Sequence, residues 1–318
     1  MEILEPDPAL VRTAAPRTVT YRNAVATPFR QEGRRFTGAL YEESGALIRR
    51  AQRMAGTVTK YHPCDPERFL PHREPETVRG RGYYIGNVMA HYGHFITEGL
   101  SFCWAADEPD YFLAHPFIWG REIPGFAQEA LRRIGVPPER IRLVEDVTRL
   151  ERLTVPDRLW HINHSVNRRF DGILEKLTAG YLRSRPGLRL YLSRSEIPRR
   201  LIGNERDIEE LFRQAGFVVV QPQNYGLAAQ LELYGQAAVL AGLAGSALHN
   251  VIFCPKGAST ISIGDSRAAV TRNQPVCAAL AGGVTAVIPF AGDGRGFHLP
   301  TLKAELAAVL ERLDQRPV

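Results

Sequence analysis

Hydrophobic and polar positions run along the chain in blocks that switch between a period of two and a period near 3.6. Residues 1–75 read as an irregular start with a few strands. In it, RRFTGALYEESGALIRRA alternates and turns at Glu43-Ser44-Gly45, which predicts a hairpin, while its ALIRRAQRMA end also fits a helix. The proline- and charge-rich HPCDPERFLPHREPETVRGRG reads as a loop or linker. GYYIGNV predicts a strand and the apolar stretch after it, from His91 to Ala105, a buried helix. DYFLAHPFIWG is extended, IPGFAQEALRRIG is helical with Gly135 as its stop, and RIRLVED is extended again.

The second half repeats this rhythm. DGILEKLTAGYLRSR is a helix and LRLYLSR a strand; NERDIEELFRQAG is a helix with Asn204 as N-cap and Gly216 as C-cap, and FVVVQP is a strand. GLAAQLELYGQA is helical, AVLAG a strand, GSALHNVIF a short helix, and STISIGD and GGVTAVIPF strands, before the amphipathic LPTLKAELAAVLERLDQ closes the chain. Alternating strands and helices with short connections predict an α/β protein with parallel sheets. A length of 318 residues allows two domains of roughly 150 residues each. The seam is expected at 168–171, dividing the chain into 1–170 and 171–318.

Composition alters little. Hydrophobic residues make up 44% of the chain, enough for a real core, and no run of about 18 apolar residues reads as a membrane span. The N-terminus is acidic and broken by prolines, where a signal peptide is basic and then apolar, so the expected location is cytoplasmic. Forty basic against 34 acidic side chains give a net charge of +6, spread out and without the tract that wraps nucleic acid. Part of the excess suits a cleft for an anionic substrate or a face near anionic lipid, and thus peripheral attachment to the inner membrane face. Cys64, Cys103, Cys254 and Cys277 lack C-x-x-C spacing and are expected as reduced, mostly buried thiols. His91/His94 and His161/His164 are H-x-x-H pairs without a third ligand at recognisable spacing, so no metal or cofactor is expected.

Two stretches carry candidate chemistry. On a helical wheel His94, Thr97, Glu98 and Ser101 share one stripe of an otherwise apolar segment. Burying them without partners would cost roughly 2 to 7 kcal/mol for each neutral group, so the stripe must meet partners, water or a ligand. The second stretch is AVLAGLAGSALHN, which runs from a strand through Gly242 and Gly245 into a helix headed by Ser246. Small residues there let an anion approach backbone amides at the positive end of a helix. Arg194 at the end of LRLYLS, with Arg199 and Arg200 behind it, adds guanidinium groups that take phosphate oxygens in pairs.

GHFITEGLSFCW, LSRSEIPRRLIGNERDIEELFRQAGFVVVQP and LAAQLELYGQAAVLAGLAGSALHNVIF resemble, in order and spacing, the catalytic region of glycosyltransferase family 61 over roughly residues 80–265. The resemblance implies a GT-B-like architecture, two Rossmann-like domains facing each other across a cleft. It implies an acceptor-side domain in 1–170 and a nucleotide-sugar-binding domain in 171–318. It also implies inverting, metal-independent transfer from a nucleotide sugar, taken as a UDP-sugar, to a glycan or lipid-linked glycan acceptor in surface or capsular polysaccharide synthesis. The family's arginine and N-E pair match Arg200, Asn204 and Glu205, a glutamine matches Gln230, and the H-G-A-x-L-x-N block matches Gly245, Leu248 and Asn250. Its histidine falls on Ala244, so either His249, five residues on, takes over or activity is altered or lost. Gly93, His94, Phe95 and Glu98 match a looser first block, with glutamate where many relatives carry aspartate.

An inverting transfer needs a base for the acceptor hydroxyl and a positive environment for the departing diphosphate. His94 and Glu98, four residues apart, can hydrogen-bond, so either is the base and the other its orienter, with Glu98 preferred. Arg194, Arg200, Asn204, Glu205, Gly245, Ser246, His249 and Asn250 form the expected donor set. The alternatives are a catalytically impaired nucleotide-sugar-binding or scaffold protein of the same fold, which Ala244 favours, and a nucleotide-sugar epimerase.

Overall fold

The computed structural model describes residues 1–32, 35–52, 75–88, 90–116, 122–183, 187–197, 203–264, 273–289 and 296–316. Cys64, Arg199 and Arg200 lie outside the described residues. The fold is mixed α/β, and contacts divide it into two compact units. One is Arg12–Leu177; the other joins Met1–Val11 to Thr178–Val318. The division thus falls a few residues beyond the expected seam, and the first eleven residues go with the C-terminal half. Glu2–Leu4 is the reason, since it pairs antiparallel with Thr285–Pro289 at the edge of the C-terminal sheet.

In the Arg12–Leu177 unit a six-stranded sheet runs in the order Leu40–Tyr41, Thr18–Ala26, Thr148–Pro156, Glu76–Val88, Tyr111–Pro116 and Ile141–Leu143. The last four strands are parallel, and Thr18–Ala26 is antiparallel to both neighbours. In chain order the parallel strands lie third, second, first, fourth. The connection therefore reverses direction between the first, Glu76–Val88, and the fourth, Thr148–Pro156. Such a switch point opens a crevice at the carboxyl ends of the strands. Leu150, Leu153 and Val155 pack with Val78, Tyr84 and Leu113 in the core of this unit.

The unit corrects several expectations. Glu76–Val88 begins inside the stretch read as a linker, because Thr77 and Val78 continue the alternation that Gly80 and Gly82 obscure. Thr148–Pro156 went unread, its apolar positions being interleaved with Arg149, Glu151 and Arg152. The hairpin turn at 43–45 forms, with Glu42 N–H donating to the Ala46 carbonyl at 2.8 Å. The helical option for ALIRRAQRMA shrinks to a 3-10 turn at Arg49–Ala51, with the residues from Arg53 on outside the described set.

The sheet of the other unit runs Glu2–Leu4, Thr285–Pro289, Ser259–Gly264, Ala237–Leu243, Leu188–Leu192 and Val218–Val220, parallel except for the first. Continuous apolar runs such as LRLYL and AAVLAGL are what a sheet covered on both faces requires. The five parallel strands lie in the order second, first, third, fourth, fifth, so the switch point is between Leu188–Leu192 and Ala237–Leu243. Glu205–Gln214 carries Glu205 and Asp207 in its first turn and Arg213 in its last, as the helix dipole favours. It closes on Gly216 at a φ of +83°. Gln274–Ala281, whose NQPVCAALAG has little polar contrast, is a helix the pattern did not announce.

Cys103, Cys254 and Cys277 are buried free thiols, and burial pushes the Cys103 thiol up to about 12. Among the described residues no helix is long and apolar enough to cross a membrane. His115 is buried in the N-terminal unit, where Nε2–H donates to the Thr27 carbonyl at 3.0 Å and Nδ1 accepts from the Tyr84 hydroxyl at 2.9 Å. Burial pushes this imidazole down to about 4, with the bond to Thr27 opposing. Above pH 6.5 both folded and unfolded states leave it neutral. As pH falls from 6.5 to 4 the unfolded chain takes a proton that the native state refuses, so stability is lost in that window. The loss assigned to His115 is about 3 kcal/mol. Urea unfolding measured across that range is expected to show a correspondingly smaller fall in His115→Gln than in the wild type.

Candidate active site

Each unit presents candidate chemistry directly after the first strand at its switch point. In the N-terminal unit the segment after Glu76–Val88 is not one regular helix. A single α turn, Tyr92–His94, passes into a π-helix at Phe95–Gly99, where Leu100 N–H donates to the Phe95 carbonyl at 3.0 Å, and then into a 3-10 turn at Cys103–Ala105. π segments are rare and occur mainly at functional sites. Glycine at 99 belongs to this geometry, since a Cβ there would stand 2.9 Å from the Phe95 ring.

The predicted polar stripe divides accordingly. His94 Nδ1 and Glu98 Oε1 lie 2.8 Å apart, with the Glu98 side chain 3% exposed and that of His94 37% exposed. The His91 ring meets the His94 ring edge-on at 4.9 Å, and its Nδ1 accepts the His94 backbone N–H at 3.5 Å. Thr97 turns back and donates to the Gly93 carbonyl at 2.9 Å. Ser101 Oγ accepts the Trp160 N–H at 2.7 Å and its carbonyl accepts Leu159 N–H, which fastens the chain after Thr148–Pro156. Two members of the stripe are thus structural, and two form a carboxylate–imidazole pair with the imidazole outermost.

In the C-terminal unit Leu188–Leu192 ends on Ser193-Arg194-Ser195. This loop is laced to one face of Glu205–Gln214. Glu205 accepts the Arg194 N–H at 2.7 Å, and one turn on, Glu209 Oε1 accepts both the Ser193 and Ser195 hydroxyls at 2.6 Å. Gln221 donates to both serines and Arg213 to the other Glu209 oxygen. Burial pushes the Glu209 carboxyl up, but the Ser193, Ser195 and Arg213 bonds outweigh it and hold it below the ordinary range. Burial also pushes up the Glu205 carboxyl, which stays raised against the opposing pull of the Arg194 N–H and guanidinium.

Across the switch point Ala237–Leu243 leads into Ala244, Gly245 and the 3-10 helix Ser246–Phe253. The short helix read from the sequence is therefore of the tighter kind. A Cβ on Gly242 would stand 3.0 Å from the Leu192 carbonyl, and one on Gly245 would stand 3.2 Å from an Arg194 guanidinium nitrogen. The structure therefore brings Arg194 together with Glu205 and with Gly245 at the head of the Ser246 helix.

Other expected donor residues make hydrogen bonds within the protein. Asn204 does not cap its helix with its side chain; its amide donates to the Phe297 carbonyl at 2.8 Å and accepts the Phe297 N–H at 2.9 Å. Asn250 is 1% exposed and donates to the Tyr234 hydroxyl at 3.0 Å, which in turn donates to Gln230 Oε1. Gln230 ties down the Pro222 and Tyr225 carbonyls. Asn204, Asn250 and Gln230 thus hold loops by their side-chain amides. His249 is only 7% exposed on the 3-10 helix, and Ala244 N–H donates to the Ile263 carbonyl at 2.7 Å. Ser193, Ser195, Glu209 and Gln221 went unread, although the i, i+4 spacing of Glu205 and Glu209 was a signal that one helix face serves the LSRSE loop.

The profile of the family described as Glycosyltransferase 61 matches residues 92–261, over half of the chain. The chain belongs to glycosyltransferase family 61. The matched span opens at Tyr92, on the turn that carries His94, and ends in the Ser259–Gly264 strand, so it takes in both the His94–Glu98 pair and the Arg194–Gly245 contact. No curated protein matched the chain. Membership in family 61 supports glycosyl transfer, which requires a sugar donor and a glycan acceptor. Among the described residues no group of three or more His, Cys, Asp or Glu side chains converges as metal ligands do.

The Tyr234 hydroxyl links Asn250 to Gln230, so its removal leaves two buried amide groups short of a partner. Tyr234→Phe is expected to lower stability by about 1 to 3 kcal/mol in urea unfolding.

Proposed function

We propose that this family 61 member is an inverting, metal-independent transferase. It moves a sugar from a nucleotide sugar, a UDP-sugar, to a hydroxyl of a glycan or lipid-linked glycan. The setting is assembly of a surface or capsular polysaccharide at the cytoplasmic face of the membrane, and a GT-B arrangement of the two units is part of the proposal. The observation that carries it is the 2.8 Å contact between His94 and the buried Glu98.

With Glu98 ionised, His94 Nδ1–H donates to it, which leaves Nε2 free to accept a proton. The acceptor hydroxyl gives up that proton as its oxygen attacks the anomeric carbon and the bond to the diphosphate breaks on the opposite face. Glu98 then stabilises the imidazolium. The difference in exposure favours His94 as the base and Glu98 as its partner, the reverse of the preference drawn from the sequence. For the donor, Arg194 beside Gly245 and the amide end of the Ser246–Phe253 helix offer what a departing diphosphate needs, a guanidinium fork and free N–H groups. Glu205 acts through Arg194, and Arg200 joins the donor set by the family pattern alone.

Ala244 favours a second reading, a protein of the same family that holds the nucleotide sugar without turning it over. Incubation with a panel of nucleotide sugars separates the two: slow donor hydrolysis or transfer supports the first, and binding without turnover supports the second. In an active protein, His94→Ala or Glu98→Gln is expected to lower kcat by on the order of 10² to 10⁴ while donor affinity is retained. Loss of donor binding in that pair would place the His94 segment on the donor side. Arg194→Gln is expected to weaken UDP binding by roughly 10- to 100-fold, read by calorimetry, and unchanged affinity would remove Arg194 from the site.

A further inference from the structure

Two adjoining cavities of the Arg12–Leu177 unit concentrate positive charge that the His94 site does not use. The smaller, about 280 Å³, is walled among the described residues by Arg12, Arg49, Arg50, Arg158 and His161, with Asp157 as an acidic member of its lining. It shares Ala15, Pro16 and Asn167 with a larger cavity of about 840 Å³. The larger one adds Arg168, Arg169 and Lys176 against Glu175, and has Trp104 and Ile173 as apolar wall.

Asp157 is already neutralised inside the protein. Its Oδ1 pairs with Arg50 at 3.0 Å and its Oδ2 accepts the Arg17 N–H at 2.8 Å. Among the described residues, Arg12 and Arg49 stand in the smaller lining beside that ion pair, and Arg158 adds a further guanidinium. Arg158 is fixed in place, donating to the Gln52 carbonyl at 2.8 Å with its guanidinium over the Phe102 ring at 5.1 Å. Arg12 is steered by His164, 3.3 Å away. His161 presents a buried Nδ1 that has no hydrogen-bond partner. Burial and the charges of Arg158 and Arg12 push this imidazole down to about 4, so at neutral pH it adds a neutral polar group and no further charge.

Like charges gathered in a partly enclosed pocket repel, and an anion there relieves the repulsion while meeting guanidinium forks. The volume decides what kind of anion. It sits at the small end of ligand pockets, roughly 300 to 1,000 Å³, which suits one or two phosphate groups and not a polymer strand. The apolar and aromatic wall next door suits whatever the phosphate is attached to. That wall is built by Cys103 and Trp104, on the 3-10 turn that follows the His94–Glu98 segment in the chain.

We propose that this pocket binds a phosphate-class anion, the charged group of a phosphorylated acceptor, with the adjoining cavity receiving the attached sugar or chain. The acceptor assignment rests on the glycosyl-transfer reading; the anion site does not. The test is calorimetric titration of the full chain with inorganic pyrophosphate, on the wild type, on Arg12→Gln/Arg49→Gln and on Arg194→Gln. Both residues of the double variant are exposed, so its fold is expected to hold, and thermal melting checks this. The wild type is expected to show two classes of pyrophosphate site. The double variant is expected to weaken one of them by roughly tenfold or more for each guanidinium lost while keeping its UDP affinity.

Arg194→Gln is expected to remove the other class and leave this one. A pyrophosphate isotherm unchanged in the double variant would overturn the inference while leaving the donor site standing. The converse, with all binding lost in the double variant and none in Arg194→Gln, would support it and sink the donor assignment. Co-flotation with vesicles of phosphatidylglycerol and phosphatidylcholine, lost in the double variant, would identify the source of the phosphate as a lipid headgroup. Pyrophosphate binding without flotation would identify a phosphorylated soluble acceptor.

Discussion

A buried carboxylate costs several kcal/mol unless a cation and hydrogen-bond donors meet it, and a buried glutamate stands at the base of each candidate site. Glu205 lies buried under the strand-end loop and takes the Arg194 amide, which fixes the backbone from which the guanidinium reaches Gly245. Glu98 lies buried and pairs with Nδ1 of His94, whose side chain is the more exposed of the two. In each unit the acid sits on a helical segment, and a basic residue takes one of its oxygens. The basic groups are consequently pre-oriented, and little ordering is left for a ligand to impose.

The sheets explain why these pairs stand where they do. Parallel strands bring chain after chain to one edge, and where the winding reverses no connection covers the gap. Arg194 follows the first strand of its sheet and Gly245 the third, with the gap between them. The close approach of Gly242 to the Leu192 carbonyl keeps those two strand ends tight. Around this core, polar side chains anchor the backbone: Asn204 binds Phe297, and Asn250, Tyr234 and Gln230 form a chain that ends on the Pro222 and Tyr225 carbonyls. Charge that the crevices leave out gathers around Arg158 and Arg12, in the unit that also holds His94.

How legible this was depended on the reach of each interaction. Arg194, Gly245 and the His94–Glu98 pair stood out because each rests on local rules: a strand end, a small residue before a helix, an i, i+4 spacing. Asn204 and Asn250 matched a family pattern, and a pattern records that a residue is needed without saying whether it touches ligand or backbone. The partner of Asn204 is Phe297, 93 positions away, and no local rule reports such a contact. Thr148–Pro156 was missed because strand formation at its charged positions follows from its place between two other strands, not from its own alternation.

The sequence by itself determined the α/β class, the glycine and arginine that meet before the Ser246 helix, the glutamate–histidine spacing and the membership in family 61. These follow from period, side-chain chemistry and short-range geometry. Only the tertiary structure decided that Glu2–Leu4 belongs to the far end of the chain, that the His94 segment winds as a π-helix, and that His94 stands outside Glu98. Strand order, burial and loop anchoring are set by contacts between distant residues, whose free energy depends on what each group loses in water and finds in the fold.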